Sequence, residues 1–198
     1  VLWFGSESGP RVLPGAYTVK LTVNGETYSQ SLTVLNDPRS KLSADDLAAR
    51  QALLMQIYAE FDRTNKAIVG LRSLRGQIND LESRYAKSPQ AKALNDDAKP
   101  LLDQLTGIED ALIQSKAHAS EDVLNYPIRL NNKLAALMST VEFSNSRPTA
   151  QDEAVFQELS SQTDAQLTHW QTVQSSELPA LNAKIQALNL PPIYITPK

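Results

Sequence analysis

The sequence runs to 198 residues, 41% hydrophobic and 21% charged, with a net charge of −3 and a pI near 5.4. There is apolar material for a sizeable core, while the weak negative charge argues against a nucleic-acid partner, which calls for clustered Lys and Arg. The absence of cysteine excludes disulfides and thiolate metal sites, and no run approaches the roughly 20 apolar residues of a membrane-spanning helix, so no membrane insertion is expected.

In chain order, the first feature is Val1-Leu2-Trp3-Phe4, an apolar run without a preceding Met. It reads as a strand separated from its sheet, which points to truncation or processing. From 15 to 35 the residues alternate: Tyr17, Val19, Leu21 and Val23 share one face, and Thr18, Lys20 and Thr22 the other. Asn24-Gly25 supplies a type I′ turn, because both central positions need positive φ, so Val23 should pair with Glu26 and Leu21 with Tyr28. Leu32 and Val34 continue the apolar face. An isolated hairpin is marginal in water. It is therefore expected to pack on the Val1 to Phe4 segment, on the helices, or on a missing part of a longer protein.

Asp37-Pro38-Arg39 breaks the strand, and Ser43 with Asp46 forms a capping box for a long helix from 44 to 86. Leu54, Ile57, Phe61, Thr64, Ile68, Leu71, Leu74, Ile78, Leu81 and Tyr85 recur at steps of three and four. At 1.5 Å per residue that helix is roughly 65 Å long and needs partners along its whole length. Ser88-Pro89 reads as an N-cap followed by Pro at the first helical position. The second helix would carry Leu94, Leu101, Leu105, Ile108 and Leu112 inward, with a kink or restart near Ala98 caused by Pro100. Ser115 to Asp122 is polar loop. A third helix, opened by Asn125-Tyr126-Pro127, turns Leu130, Leu134, Leu137, Met138 and Val141 inward. Thr149 and Asp152 cap a fourth, with Val155, Phe156, Leu159, Leu167, Trp170, Val173, Leu178, Leu181, Ile185 and Leu188 inward and Pro179 bending it near Ser175.

The expected fold is therefore mainly α: an up-down-up-down four-helix bundle with two long helices, plus a small N-terminal β-hairpin or partial β-sandwich. Three segments follow: 1–36 as the β part, 37–189 as the bundle, and 190–198 as an extended tail. In this topology the fourth helix ends at the pole of the hairpin, and Leu190-Pro191-Pro192-Ile193-Tyr194-Ile195 should dock there.

Chemistry-bearing patterns are sparse. His118, near Glu121 and Asp122, and His169, beside Trp170, are the two histidines, and neither has metal-ligand spacing. The acidic pairs Asp45-Asp46 and Asp152-Glu153 fall in first helical turns, where the helix dipole favours them. Asp96-Asp97, Glu109-Asp110 and Glu121-Asp122 read as solvated surface. Phosphate-loop, dinucleotide, nucleophile-elbow and EF-hand patterns are absent. No catalytic, cofactor-binding or metal residue is assigned, and no cofactor is expected. Trp3, Phe4, Tyr17 and Tyr28 could form a carbohydrate-stacking platform, although a small core is the simpler reading. Asn125 to Lys133 is the densest polar and aromatic run, and its asparagines with Arg129 could line an inter-helix or partner-facing site.

Gly9-Pro10-Arg11-Val12-Leu13-Pro14-Gly15-Ala16-Tyr17-Thr18-Val19, the hairpin, Asp37-Pro38-Arg39, the stretch from Asp122 to Leu137, and Leu190-Pro191-Pro192-Ile193-Tyr194 together carry a resemblance. They resemble the C-terminal region of bacterial sortilin-like β-propeller proteins with Asp-box (BNR) repeats, often labelled glycosyl hydrolases. The resemblance implies that residues 1–36 are the last strands of an immunoglobulin-like domain following a propeller, and that the chain is secreted or periplasmic. The propeller and its Asp-box motifs are absent, so no glycosidase residue carries over. The implied role is a non-catalytic accessory or interaction module of a larger exported protein. Its partner would be the remainder of that protein or another protein, with a homo-oligomer as a further possibility. The alternative is part of a glycan-cleaving enzyme, its catalytic groups in a missing propeller, to which Glu121, Asp122 and Arg129 could contribute.

Overall fold

A computed structural model describes residues 8–144 and 146–195. The Val1 to Phe4 segment, and with it Trp3 of the proposed aromatic platform, lies outside the described residues.

Two antiparallel strands, β1 (Gly15–Val23) and β2 (Glu26–Val34), form a nine-pair hairpin in the expected register, Val23 opposite Glu26 and Leu21 opposite Tyr28. Asn24 and Gly25 have φ of 53° and 85°. Positive φ at both positions is what a type I′ turn requires and what Asn and Gly tolerate.

The helices are α1 (Ala44–Tyr85), α2 (Ala91–Leu112), α3 (Leu130–Phe143), α4 (Ala150–Thr172) and α5 (Leu178–Ala187), the last two joined by a π turn over Val173–Glu177. Both capping boxes form. The Asp46 N–H donates to Ser43 Oγ (3.1 Å) and the Ser43 N–H to Asp46 Oδ2 (3.3 Å); Thr149 and Asp152 repeat the exchange at 3.2 and 2.8 Å. Ser88 does not cap α2, whose N-cap is Gln90; its N–H closes a turn onto Tyr85 O at 2.9 Å, and its carbonyl accepts the Ala91 N–H at 3.1 Å in a second turn that contains Pro89. Helix α2 continues through Pro100 without the expected restart. At Pro179 the ladder is disturbed where expected: proline cannot donate to the carbonyl of Ser175, and the π turn spans that residue.

Every expected stripe residue of α1 from Leu54 to Leu81 is buried, as are those of α3. In α4, Val155 is 43% exposed and Leu167 only partly buried, and the inward face is taken by Phe156, Leu159 and Trp170. At about 1.5–3 kcal/mol for each fully buried Leu or Ile side chain, this seam is the main source of stability.

Contact pairs give the helix directions. Asp46 meets Arg147 just before α4, Arg63 meets Asp164, and Gly70 lies against Trp170, so residue numbers climb together and α1 and α4 run the same way. Helix α2 opposes both, since Glu109 meets Arg72 and Arg75 while Asp97 meets Lys184. Helix α3 also opposes both: Leu130 neighbours Gln162 and Gln166, and Ser144 past its end meets Arg50 near the start of α1. The chain thus runs up, down, further down, and up, which corrects the alternating up-down-up-down order. The reason is length. The 22 residues of α2 cover about 33 Å of a 42-residue helix of about 63 Å, so the rest of the α1 stripe is left for α3. Segment 113–129, which includes a 3₁₀ turn at Ser120–Leu124, carries the chain onward.

The tail follows from the same geometry. Because α4 and α5 run upward, they end at the pole away from the hairpin. There the Ile193 N–H donates to Asn182 Oδ1 and Asn182 Nδ2 donates to Ile193 O, both at 2.8 Å, while the Tyr194 N–H donates to Gln77 Oε1 at 3.3 Å. Leu190 and Ile193 are buried. The expected docking of the tail on the hairpin is therefore replaced by docking on α5 and α1.

Candidate functional site

Along the hairpin, side chains alternate between two unlike faces. Tyr17, Val19, Leu21, Val23, Tyr28, Leu32 and Val34 share one with Glu26 and Gln30; Thr18, Lys20, Thr22, Thr27, Ser29, Ser31 and Thr33 share the other. An apolar face of this kind normally lies on a core. Here Val19, Leu21, Val23, Tyr28 and Leu32 are 46 to 61% exposed, and only Gly15, Tyr17 and Val34 at the root are partly covered. Tyr17 donates its hydroxyl to Leu13 O at 2.6 Å, and Tyr28 donates to Glu26 Oε2 at 2.7 Å, which pushes the Tyr28 hydroxyl above its usual pKa. Tyr17 is half-buried and Tyr28 exposed, while Trp3 and Phe4, the other members of the proposed aromatic cluster, lie outside the described residues.

At the root, the hairpin, the start of α1 and the end of α3 enclose a groove of about 670 Å³. Its apolar lining comes from Leu13, Val34, Leu35, Leu47, Leu54 and Phe143, and its charge from Arg11, Arg39, Arg50, Asp37 and Glu142. The Arg11 N–H donates to Glu142 Oε1 at 2.9 Å, and its guanidinium lies 6.0 Å from the Phe143 ring centroid. Arg39 grips Asp37 through two nitrogens, at 3.0 and 2.8 Å, and holds that carboxyl below the usual carboxylate range. Arg50 donates to Ser144 O at 2.8 Å. The sequence carries no local sign that Arg11, Arg39 and Arg50 share a groove: they lie on separate stretches, and the side of the groove formed by Glu142, Phe143 and Ser144 comes from the end of α3.

The residues weighed for chemistry do not converge. The Asp122 carboxylate accepts the backbone N–H groups of Ala119 (2.9 Å) and His118 (2.7 Å), which hold it below its usual pKa and make it a turn-former. His169 is exposed in the last turn of α4, beside Trp170 and just before the π turn that carries the helix into α5. Arg129 and Lys133 line a shallow cavity of about 340 Å³ with Gln162 and Gln166, and neither Glu121 nor Asp122 takes part in it. Asn131 and Asn132 are buried within α3. Among the described residues no group of three His, Asp or Glu is placed to hold a metal ion, and no helix is long and apolar enough to cross a membrane.

Two charge clusters, each built around a buried glutamate, sit between helices. Glu109 of α2 accepts from Arg72 at 2.6 Å and from Arg75, and Glu60 of α1 accepts from Arg63 at 2.7 Å, which also reaches Asp164 at 2.9 Å. Each locks α1 to a neighbour.

No family model, curated protein or solved structure matches this chain.

Proposed function

We propose that this chain is a non-catalytic interaction module, in which the helices form a rigid scaffold and the hairpin is the contact element. The observation that carries the reading is the apolar face of the hairpin, left in water while the buried core forms without it. Contiguous apolar surface of this kind marks contact sites. In this reading α1 and the α4–α5 run are the two long members of the bundle, with α2 and α3 stacked between them. The resemblance of the Gly9 to Val19 stretch, the hairpin and Asp37-Pro38-Arg39 to the tail of Asp-box propeller proteins supports attachment to a larger exported protein, secreted or periplasmic, as the end of an immunoglobulin-like domain. The test is cross-linking and gel filtration of that longer protein with Leu21→Ser and Tyr28→Ser together. Altered assembly or weakened partner binding, with helicity retained, is the expected result; assembly and binding indistinguishable from the unaltered protein would overturn the proposal.

A further inference from the structure

We infer that a second copy of this chain covers the hairpin, the two apolar faces packing against each other antiparallel, with the tip of each hairpin over the root of the other. The inference rests on the interaction-module reading and names its occupant.

Area is the first argument. Five side chains at 46 to 61% exposure leave roughly 500 Å² of apolar surface in water, at the upper range of what monomers carry. Full covering of these residues on two copies removes at most roughly 1,000 Å² in total, at the threshold for a specific interface. Strand-edge pairing would leave both apolar faces wet, so it answers the problem less well. The surface is also regular: nine consecutive pairs run without a bulge, and from Thr18 to Thr33 both faces are free of helices. Two sheets can therefore approach to the ~10 Å spacing of packed sheets.

Charge then selects the orientation. Glu26 shares the apolar face and sits at the tip, opposite Val23. With the tips together, Glu26 of each copy would face its equivalent across a dry interface. With the hairpins antiparallel, nine residues at about 3.4 Å each carry it about 30 Å to the level of Gly15 and Val34. The groove there is lined by Val34 and carries Arg11, Arg39 and Arg50 against Asp37 and Glu142, an excess of positive charge, and the Arg11 and Arg39 side chains, although paired with Glu142 and Asp37, are 79% and 89% exposed. The resulting contact is isologous and closes as a two-fold dimer.

The chain has no cysteine, so introduced thiols report cleanly. Sedimentation velocity of residues 1–198 should show a concentration-dependent monomer–dimer equilibrium, and Leu21→Asp should weaken it by at least about tenfold without loss of helicity. On oxidation, Val19→Cys, near the two-fold axis, should give linked dimers. Glu26→Cys alone should not, whereas Glu26→Cys mixed with Val34→Cys should. A chain that stays monomeric to about 200 μM overturns the second copy, as does self-linking of Glu26→Cys as efficient as that of Val19→Cys. If the isolated chain is monomeric but the Leu21 and Tyr28 changes still alter the longer protein, the occupant is another segment and the module reading stands. If neither responds, both fall.

Discussion

Two buried glutamates on facing sides of the bundle should answer pH in opposite directions. Burial pushes Glu109 up, but the hydrogen bonds from Arg75 and Arg72 outweigh it and hold the carboxyl below its usual pKa. Its contribution to stability is therefore present above the unfolded carboxylate range and is lost as pH falls through the depressed folded value. For Glu60, burial dominates over Arg63 and raises the pKa; one oxygen, Oε1, is buried without a hydrogen-bond partner. A raised value means the contribution is present below the unfolded pKa and is lost as pH rises through the folded one. Glu109→Gln should cost about 1–3 kcal/mol at neutral pH, since it strips partners from two arginines that are themselves partly in water, and the deficit should shrink in acid. Glu60→Gln should be neutral or stabilising by up to about 1 kcal/mol at neutral pH, because Arg63 keeps Asp164, and that gain should vanish in acid. Denaturant titrations at about pH 4 and pH 7 check both; parallel pH responses would contradict the assignment.

Within one element, α1 carries two glycines whose replacement should have opposite signs. Alanine is favoured over glycine in a helix by about 1 kcal/mol. At Gly76 an added Cβ meets nothing within 4 Å, so Gly76→Ala should gain most of that, raising the melting temperature by about 2–4 °C for a chain of this length. At Gly70 the same atom would lie 2.9 Å from Cζ2 of Trp170, a buried and rigid indole. Overpacking there costs about 1–3 kcal/mol, so Gly70→Ala should lower the melting temperature and shift the Trp170 fluorescence. Sequence alone does not distinguish the two glycines, because the difference lies in what α4 sets against them. The stripes, capping boxes and Asn-Gly turn were legible because each is a local pattern of period, side-chain reach or φ. The direction of α3 was not. A 17-residue link between α2 and α3 can reverse the chain or carry it on, and that one ambiguity also misplaced the tail and hid the root groove.

At the scale of the whole molecule, the hairpin and the helices divide the work of folding unequally. The core residues, from Leu53 on α1 through Ile185 on α5 to Ile193 in the tail, include none from either strand. Sequence alternation identified the apolar face but not what lies over it, since periodicity reports the sidedness of a strand and carries no information about its neighbour. A hairpin that shares no core with the bundle should contribute little to the bundle's cooperativity. Replacing residues 15–34 with a short Gly-Ser loop should therefore leave the thermal midpoint within about 2 °C and reduce the denaturant m value only slightly, because little surface is buried by the strands. Circular dichroism through the melt and a guanidinium titration would measure both. A midpoint several degrees lower would mean that the root contacts of Arg11 with Glu142 and Phe143 clamp the lower pole of the bundle, and that the arm is part of the scaffold. An unchanged midpoint with loss of self-association would separate the two parts cleanly, with stability residing in the helices and recognition in the arm.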